Sequence, residues 1–118
     1  MRRFNPLNPD QDAAPREEVR FTELRVEPWP DGRRIRVHAR LTPFQSPPNL
    51  EMNLKDPGGN IIASAYIVEN IDFDLVITMH IRSDVDSEEF TLVASVIFED
   101  LGTVDEKSIT FHLYDPEV

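Results

Sequence analysis

Residues 90–113, FTLVASVIFEDLGTVDEKSITFHL, contain two runs of alternating apolar and other residues on either side of one turn. Because successive side chains of a β-strand point to opposite faces of the sheet, this period of two predicts a hairpin whose strands share one apolar face. The two predicted apolar rows are Phe90, Leu92, Ala94, Val96 and Phe98, followed by Ile109, Phe111 and Leu113.

Three earlier segments, residues 33–43, 49–55 and 73–82, show the same alternation and predict three more strands. Between them, DPGGN at 56–60 is typical of a tight turn, because glycine readily adopts a positive φ. The apolar rows of the three segments are Ile35, Val37, Ala39 and Leu41; Leu50, Met52 and Leu54; and Phe73, Leu75, Ile77, Met79 and Ile81.

Two further strands depart from strict alternation. In residues 19–28 the apolar side chains change parity between Phe21 and Leu24, which a β-bulge or a change of partner sheet explains. In residues 60–70 both parities are apolar or small, so one face of this strand is expected to stay exposed after folding.

Seven strands separated by frequent turns predict an all-β fold, a seven-stranded antiparallel sandwich of two sheets, in residues 19–118. Residues 1–18 have three prolines and little apolar content, and they predict a flexible N-terminal arm. No window has the 3.6-residue periodicity of a helix.

The strand order, the DPGG turn and the closing hairpin resemble an immunoglobulin-like or fibronectin-III-like domain over residues 19–115. FTLVA at 90–94 matches the aromatic-x-Leu-x-small pattern common in the penultimate strand of such domains, and Asp100-Leu-Gly102 matches their acidic-x-Gly turn. The antibody cysteine pair is absent, with Ala94 at one of its positions. The resemblance therefore implies an architecture and no activity.

Composition and charge exclude several classes of function. The 118 residues include no cysteine, so a disulfide framework, a thiolate zinc site and a cysteine nucleophile are excluded. A net charge of −10 argues against nucleic acid and anionic membrane as partners. Without an apolar run of about 20 residues or a secretory signal, we expect a cytoplasmic protein, although a domain cut from a larger surface protein would look the same.

Catalytic motifs are missing from the sequence. It contains no glycine-rich phosphate loop, no His-Glu-x-x-His and no Gly-x-Ser-x-Gly. We therefore expect no enzyme and no cofactor.

Arginine and histidine side chains share the outward parity of several predicted strands. They predict a basic face that either contacts an acidic partner or, as we favour, pairs across strands with Glu23, Glu27 and Asp74. A metal site built on the histidines is disfavoured, because His112 falls in the other sheet and no third ligand is evident. The predicted basic face comprises Arg25, Arg36, His38, Arg40, His80 and Arg82.

The loop SDVDSEE at 83–89 places Asp84, Asp86 and Glu88 close together. Carboxylates in one loop suit Ca²⁺, which takes six to eight oxygen ligands, but an acidic turn in solvent is the simpler interpretation. Trp29, at a strand end between two prolines, either caps the sandwich or serves as a platform for a carbohydrate or peptide. A calcium- or carbohydrate-binding module is thus the alternative function.

The segment IIASAYIV at 61–68 is the main functional candidate. It predicts either a surface covered by the preceding loop or by Phe4 and Leu7 of the arm, or a contact with another protein by face packing or strand addition. We therefore expect a non-catalytic protein-interaction or spacer module. Its protein partner is unknown, and a second copy of the chain is one candidate. The predicted interaction patch comprises Ile61, Ala63, Ala65, Ile67, Val93 and Ile97.

Overall fold

The computed structural model describes residues 4–5, 13–82 and 87–113. Seven β-strands follow one short 3₁₀ turn at Arg16–Glu18. The strands are β1 (Phe21–Pro28), β2 (Arg34–Leu41), β3 (Asn49–Lys55), β4 (Ile61–Ile67), β5 (Asp74–His80), β6 (Glu89–Phe98) and β7 (Gly102–His112).

The strands form two sheets. One contains three strands in the order β1-β2-β5, the other contains four in the order β4-β3-β6-β7, and every pairing is antiparallel. This confirms the predicted all-β, seven-stranded immunoglobulin-like sandwich. Within the described residues, no helix has the length and apolar character needed to cross a bilayer.

The core lies between the two sheets and consists mainly of the predicted apolar rows, joined by buried residues outside them such as Phe44 and Ile62. The central strands β2, β3 and β6 are the most completely covered, because each has a hydrogen-bonded neighbour on both sides. Burying each large apolar side chain contributes roughly 1.5–3 kcal/mol. The apolar residues of these three strands that are fully buried include Ile35, Val37, Leu41, Leu50, Met52, Leu54, Phe90, Leu92 and Val96.

Strand β1 contains the bulge that its sequence predicted. Phe21 pairs with Leu41 and Glu23 with Arg40, so the register shifts by one residue between Phe21 and Glu23. The extra residue changes the parity of the strand, and Leu24 then packs against the same core as Phe21.

The described part of the predicted arm is packed, not free. Ala13 is buried, Ala14 forms a parallel bridge with Phe44, and the side-chain amide of Gln45 donates a 2.9 Å hydrogen bond to the carbonyl of Ala13. The backbone N–H of Phe4 donates to the carbonyl of Ile71. Phe4 and residues 13–14 therefore contact the sandwich through groups that composition does not reveal, and the predicted boundary between arm and domain at residue 19 stays a prediction.

The turn between β3 and β4 closes as DPGGN predicted. The carboxylate of Asp56 accepts a 2.9 Å hydrogen bond from the backbone N–H of Asn60 and further bonds from its side-chain amide. Gly59 has a φ of +85°, a conformation that L side chains rarely adopt. These hydrogen bonds hold the pKa of Asp56 below its usual value, with the backbone of Asn60 as the main cause.

Candidate functional site

The predicted basic residues lie on the outer face of the three-stranded sheet. Arg25 is opposite His38, and Arg36 and Arg40 flank that pair along β2. His80 ends β5 on the same face, and exposed Arg82 follows it. Pairing thus brings the first five together in one sheet, as the sequence implied.

Acidic side chains form pairs with some of the basic residues on this face. Nε of Arg40 donates a 2.6 Å hydrogen bond to Oδ1 of Asp74, and that bond is the main cause of the raised pKa of Arg40. Nε2 of His38 lies 3.5 Å from Oε1 of Glu27. These neighbours agree with the cross-strand pairing that we favoured. An open depression of about 400 Å³ on this face is lined by Glu23, Arg25, His38, Ala39, Arg40, Asp72, Asp74, Leu75 and Val76.

Trp29 lies at the β1–β2 hairpin, half-buried, beneath two arginines. The guanidinium carbons of Arg34 and Arg36 lie 4.2 and 4.6 Å from its ring centroid, within the range of cation–π attraction. Asp31 bonds to the guanidinium of Arg34 at 3.1 Å. The ring therefore already has polar neighbours on this hairpin, and its predicted role as a carbohydrate platform stays a prediction.

The three histidines do not converge. His80 is opposite Arg34 in the β2–β5 register, four residues from His38, which corresponds to about 13 Å along the strand. His112 is on β7 in the other sheet, with Nε2 3.6 Å from Oε2 of Glu89. Across the ranges 4–5, 13–82 and 87–113, no group of three or more His, Asp or Glu side chains is arranged to hold a metal ion.

The predicted calcium ligands fall mostly outside the described residues. Asp84 and Asp86 lie in the undescribed range 83–86. Glu88 is exposed, and its backbone carbonyl accepts a 2.8 Å hydrogen bond from the N–H of Leu113. The calcium site stays a prediction.

Strand β4 requires a correction to the predicted patch. Ala63, Ala65 and Ile67 pair with Leu54, Met52 and Leu50, the buried row of β3. All three are half-buried and pack against the core, although we expected them to be exposed. The register shifts beside Lys55, so that Ile61 is its partner and the intervening Ile62 is buried. This bulge decides which set of alternating side chains faces inward. The sequence did not predict the bulge, because both sets are apolar or small.

The exposed apolar side chains of this region are Tyr66 and Val68, of the other parity, and Ile61, which precedes the bulge. Tyr66 is 53% exposed, and Val68, just after the strand, is 66% exposed. Ile61, at the start of β4, is 55% exposed and is the one member of the predicted patch with a large exposed fraction. The edge of the sheet therefore has an apolar border, named here the β4 border and defined as Ile61, Tyr66 and Val68.

Val93 and Ile97 lie on the same outer face but are half-buried on β6, two strands from β4. Between them, β3 carries a polar network. Ser64 donates a 2.7 Å hydrogen bond to Asn53, whose amide donates a 2.9 Å bond to Glu51. The patch is therefore not continuous across the sheet, because polar β3 side chains separate its two halves. Whether either half binds a protein stays a prediction.

The seam between β4 and β5 is less closed than the opposite side of the sandwich. No hydrogen bond joins these two edge strands, both of which lie wholly within the described residues. Inward residues on both strands, among them Ala65 and Ile77, are only half-buried. On the opposite side, by contrast, the N–H of Phe21 in β1 bonds to the carboxylate of Asp105 in β7.

Comparison with known proteins finds the fold and no family. No protein-family model and no curated protein matches the chain. Among solved structures, a glycosyl hydrolase family 2 member from Bacteroides cellulosilyticus matches 80% of this chain and 14% of its own, with 12% identity and a TM-score of 0.65. A β-glucuronidase from Bifidobacterium dentium, complexed with coumarin-3-O-glucuronide, matches 80% of this chain and 18% of its own, with 13% identity and a TM-score of 0.63.

A β-glucuronidase from Ruminococcus gnavus matches 81% of this chain and 16% of its own, with 13% identity and a TM-score of 0.56. This chain therefore corresponds to less than a fifth of the length of each of these hydrolases. At such low identities the likeness shows the fold alone.

Proposed function

We propose that this chain is a non-catalytic protein-interaction module that adds an extended segment of a protein partner to the outer edge of β4, which pairs with no strand among the described residues. The observation that carries the proposal is the location of exposed apolar side chains. Of the six large ones among the described residues, four lie in the eleven residues from Ile61 to Ile71. Such a concentration marks an interaction surface more often than scattered exposed residues do.

The four edge strands of the two sheets support the same surface. Sheet edges are templates for pairing with another chain, and proteins usually protect them with charged residues, proline or bulges. Strand β1 carries Glu23, Arg25, Glu27 and Pro28; β5 carries Asp74 and His80; β7 carries Asp105, Glu106 and Lys107. Strand β4, with the sequence IIASAYI, has no charged residue and no proline, and its bulge at Ile62 lies at its first residues, before the regular stretch Ala63–Ile67.

Strand addition suits the small side chains of β4. An added strand gains affinity from backbone hydrogen bonds and specificity from the side chains that alternate along it. Ala63 and Ala65 are small and half-buried on the core side of the edge, next to the seam where no hydrogen bond joins β4 to β5. The added segment would also cover the half-buried Ile67.

The three pKa shifts found among the described groups come from hydrogen bonds in turns and across strands. Hydrogen bonds from the turn that contains Asp31 lower its pKa, with the backbone N–H of Arg33 as the main cause, and turn contacts do the same for Asp56. The bond to Asp74 raises the pKa of Arg40. Each shift keeps its group charged, whereas a general acid at neutral pH needs a carboxyl with a raised pKa.

The spacer interpretation remains compatible with the comparisons. In each of the three hydrolases named above, this fold accounts for less than a fifth of the chain. We also place the chain among immunoglobulin-like or fibronectin-III-like domains, on strand order alone. A spacer does not need an uncharged, apolar strand at a sheet edge, however. The presence of such a strand, β4, therefore favours the interaction module over the spacer.

A peptide selection tests the proposed function. A random peptide library is selected on the wild-type chain, and binding is mapped by backbone amide shifts. We expect ligands that perturb residues 61–68 and lose affinity for the Ser64→Lys variant, because lysine on an edge strand blocks pairing. Thr78→Lys, at an exposed outward position of the β5 edge, is the matched control and should bind like wild type. Ligands that map to the three-stranded sheet, or that bind Ser64→Lys equally well, would overturn the proposal.

A further inference from the structure

We infer that the segment received by β4 is β4 of a second copy of this chain, paired antiparallel about a two-fold axis. The inference rests on the proposed function and names its partner. The two four-stranded sheets, each in the order β4-β3-β6-β7, would join into one sheet of eight strands. An isologous contact of this kind presents the same surface from both copies, and two-fold dimers are the commonest protein oligomers.

Charge favours self-pairing at this edge. Because Ile61–Ile67 contains no charged residue, no antiparallel register within the strand sets like charges opposite each other. Glu51, on β3 beside Tyr66, is the nearest acid in the adjoining strand. Three strand spacings would separate it from its copy, about 14 Å, which exceeds the Debye length of about 8 Å at physiological ionic strength.

Side-chain size selects a register centred on Ala65. On the outer face, this register places Tyr66 opposite Ser64 of the partner subunit. On the core side, it places Ile67 opposite Ala63 of the partner subunit. A large residue then meets a small one on both faces, which favours close packing. A register centred on Ser64 would instead set Tyr66 against the buried, bulged Ile62.

The net charge of the chain makes dimerisation depend on salt. Each copy carries −10, so two copies repel at low ionic strength, while the uncharged contact itself is insensitive to salt. Salt should therefore strengthen the dimer. Pairing with a basic segment of another protein would have the opposite dependence, because salt screens attraction between unlike charges.

Sedimentation and disulfide trapping test this inference on the full chain. We expect the dimer fraction to rise with protein and salt concentration, and Ser64→Lys to weaken the dimer about tenfold, since it sets two lysines on neighbouring positions across the contact. Thr78→Lys should dimerise like wild type. Thermal unfolding of both variants establishes that the exposed substitutions leave the fold intact.

Disulfide trapping then reads the register, because the chain has no cysteine of its own. Directly opposed residues have Cα atoms 4.5–5.5 Å apart, which suits a disulfide, so Ala65→Cys should form a covalent dimer under mild oxidation. Thr78→Cys, on the β5 edge, should remain a monomer.

A chain that stays monomeric up to millimolar concentration, with no more cross-linking of Ala65→Cys than of Thr78→Cys, would overturn the inference. The proposed function fails separately. If the chain is monomeric but the selected peptides still bind along residues 61–68, β4 receives a different protein. If neither copies nor peptides bind there, both proposals are wrong.

Discussion

The backbone N–H of Phe21 donates a 2.8 Å hydrogen bond to Oδ2 of Asp105, and this bond joins the edges of the two sheets. Phe21 begins β1 and is almost fully buried, whereas Asp105 is in the first half of β7. Arg16 and Asp100 form an ion pair that links the 3₁₀ turn to the β6–β7 turn. One side of the sandwich is thereby joined by a hydrogen bond and an ion pair, whereas no hydrogen bond joins β4 to β5 on the other side.

Loss of this link should destabilise the fold. We expect Asp105→Ala to lower the free energy of unfolding by about 1–3 kcal/mol, because the N–H of Phe21 keeps its partial burial and loses its acceptor. Asp105→Asn retains an acceptor oxygen and should cost less. Urea unfolding of both variants measures the difference. If both variants lose the same unfolding free energy, Asp105 does not stabilise the fold through its acceptor oxygen.

Asp56 should make stability depend on pH in the acidic range. Because its pKa is lowered in the folded chain, its contribution is present above the usual carboxyl pKa near 4 and is lost as the pH falls through the lowered folded value. The stability difference between wild type and Asp56→Asn should therefore be largest near neutral pH and shrink on acidification.

Unfolding by urea at a series of pH values measures this convergence. Glu99→Gln is the matched control, because Glu99 is exposed and forms no hydrogen bond or ion pair with the described residues. A difference for Asp56→Asn that stays constant across the range would contradict the proposed role of the turn.

Phe44 should contribute more to stability than any contact of the arm. Its ring meets Phe73 edge-on at 4.7 Å and stacks on Phe4 at 6.0 Å. We expect Phe44→Ala to cost about 3–5 kcal/mol, as for other buried aromatic residues. Phe4→Ala should cost about 1 kcal/mol, since Phe4 is only half-buried.

Phe44→Leu removes the ring contacts but keeps most of the buried apolar volume. Its loss of unfolding free energy should therefore fall between those of the two alanine variants. The free energy of unfolding is the measurement for all three variants. If Phe4→Ala unfolds like wild type, the stacking of the Phe4 ring on Phe44 does not contribute to the stability of the domain.

The fold could be predicted because most strands have one continuous apolar row, while the opposite parity is mainly polar or mixed. In β2, β3 and β6 the row that alternates in sequence is the row that is buried. The bulge in β1 was also predictable, since the parity of its apolar residues changes between Phe21 and Leu24. Where one face has to be buried, the period of two leaves a single consistent arrangement.

The candidate site was less predictable, for a reason specific to β4. Ile61–Ile67 offers apolar or small side chains on both parities, so its pattern fits either face. The bulge beside Lys55 and the buried Leu50, Met52 and Leu54 decide the orientation, and both depend on pairing with another strand. Nor does local sequence indicate that Phe21 meets Asp105, because that contact joins residues far apart in the chain.

The position of β6 has a consequence for synthesis of the protein. Strand β3 pairs with β4 on one side and with β6 on the other, and β6 begins only at Glu89. Until β6 leaves the ribosome, strand β3, which carries Leu50, Met52 and Leu54, lacks one of its two neighbouring strands. The domain should therefore acquire its structure late, as a single cooperative unit, and nascent chains that stop before β6 are natural clients of chaperones.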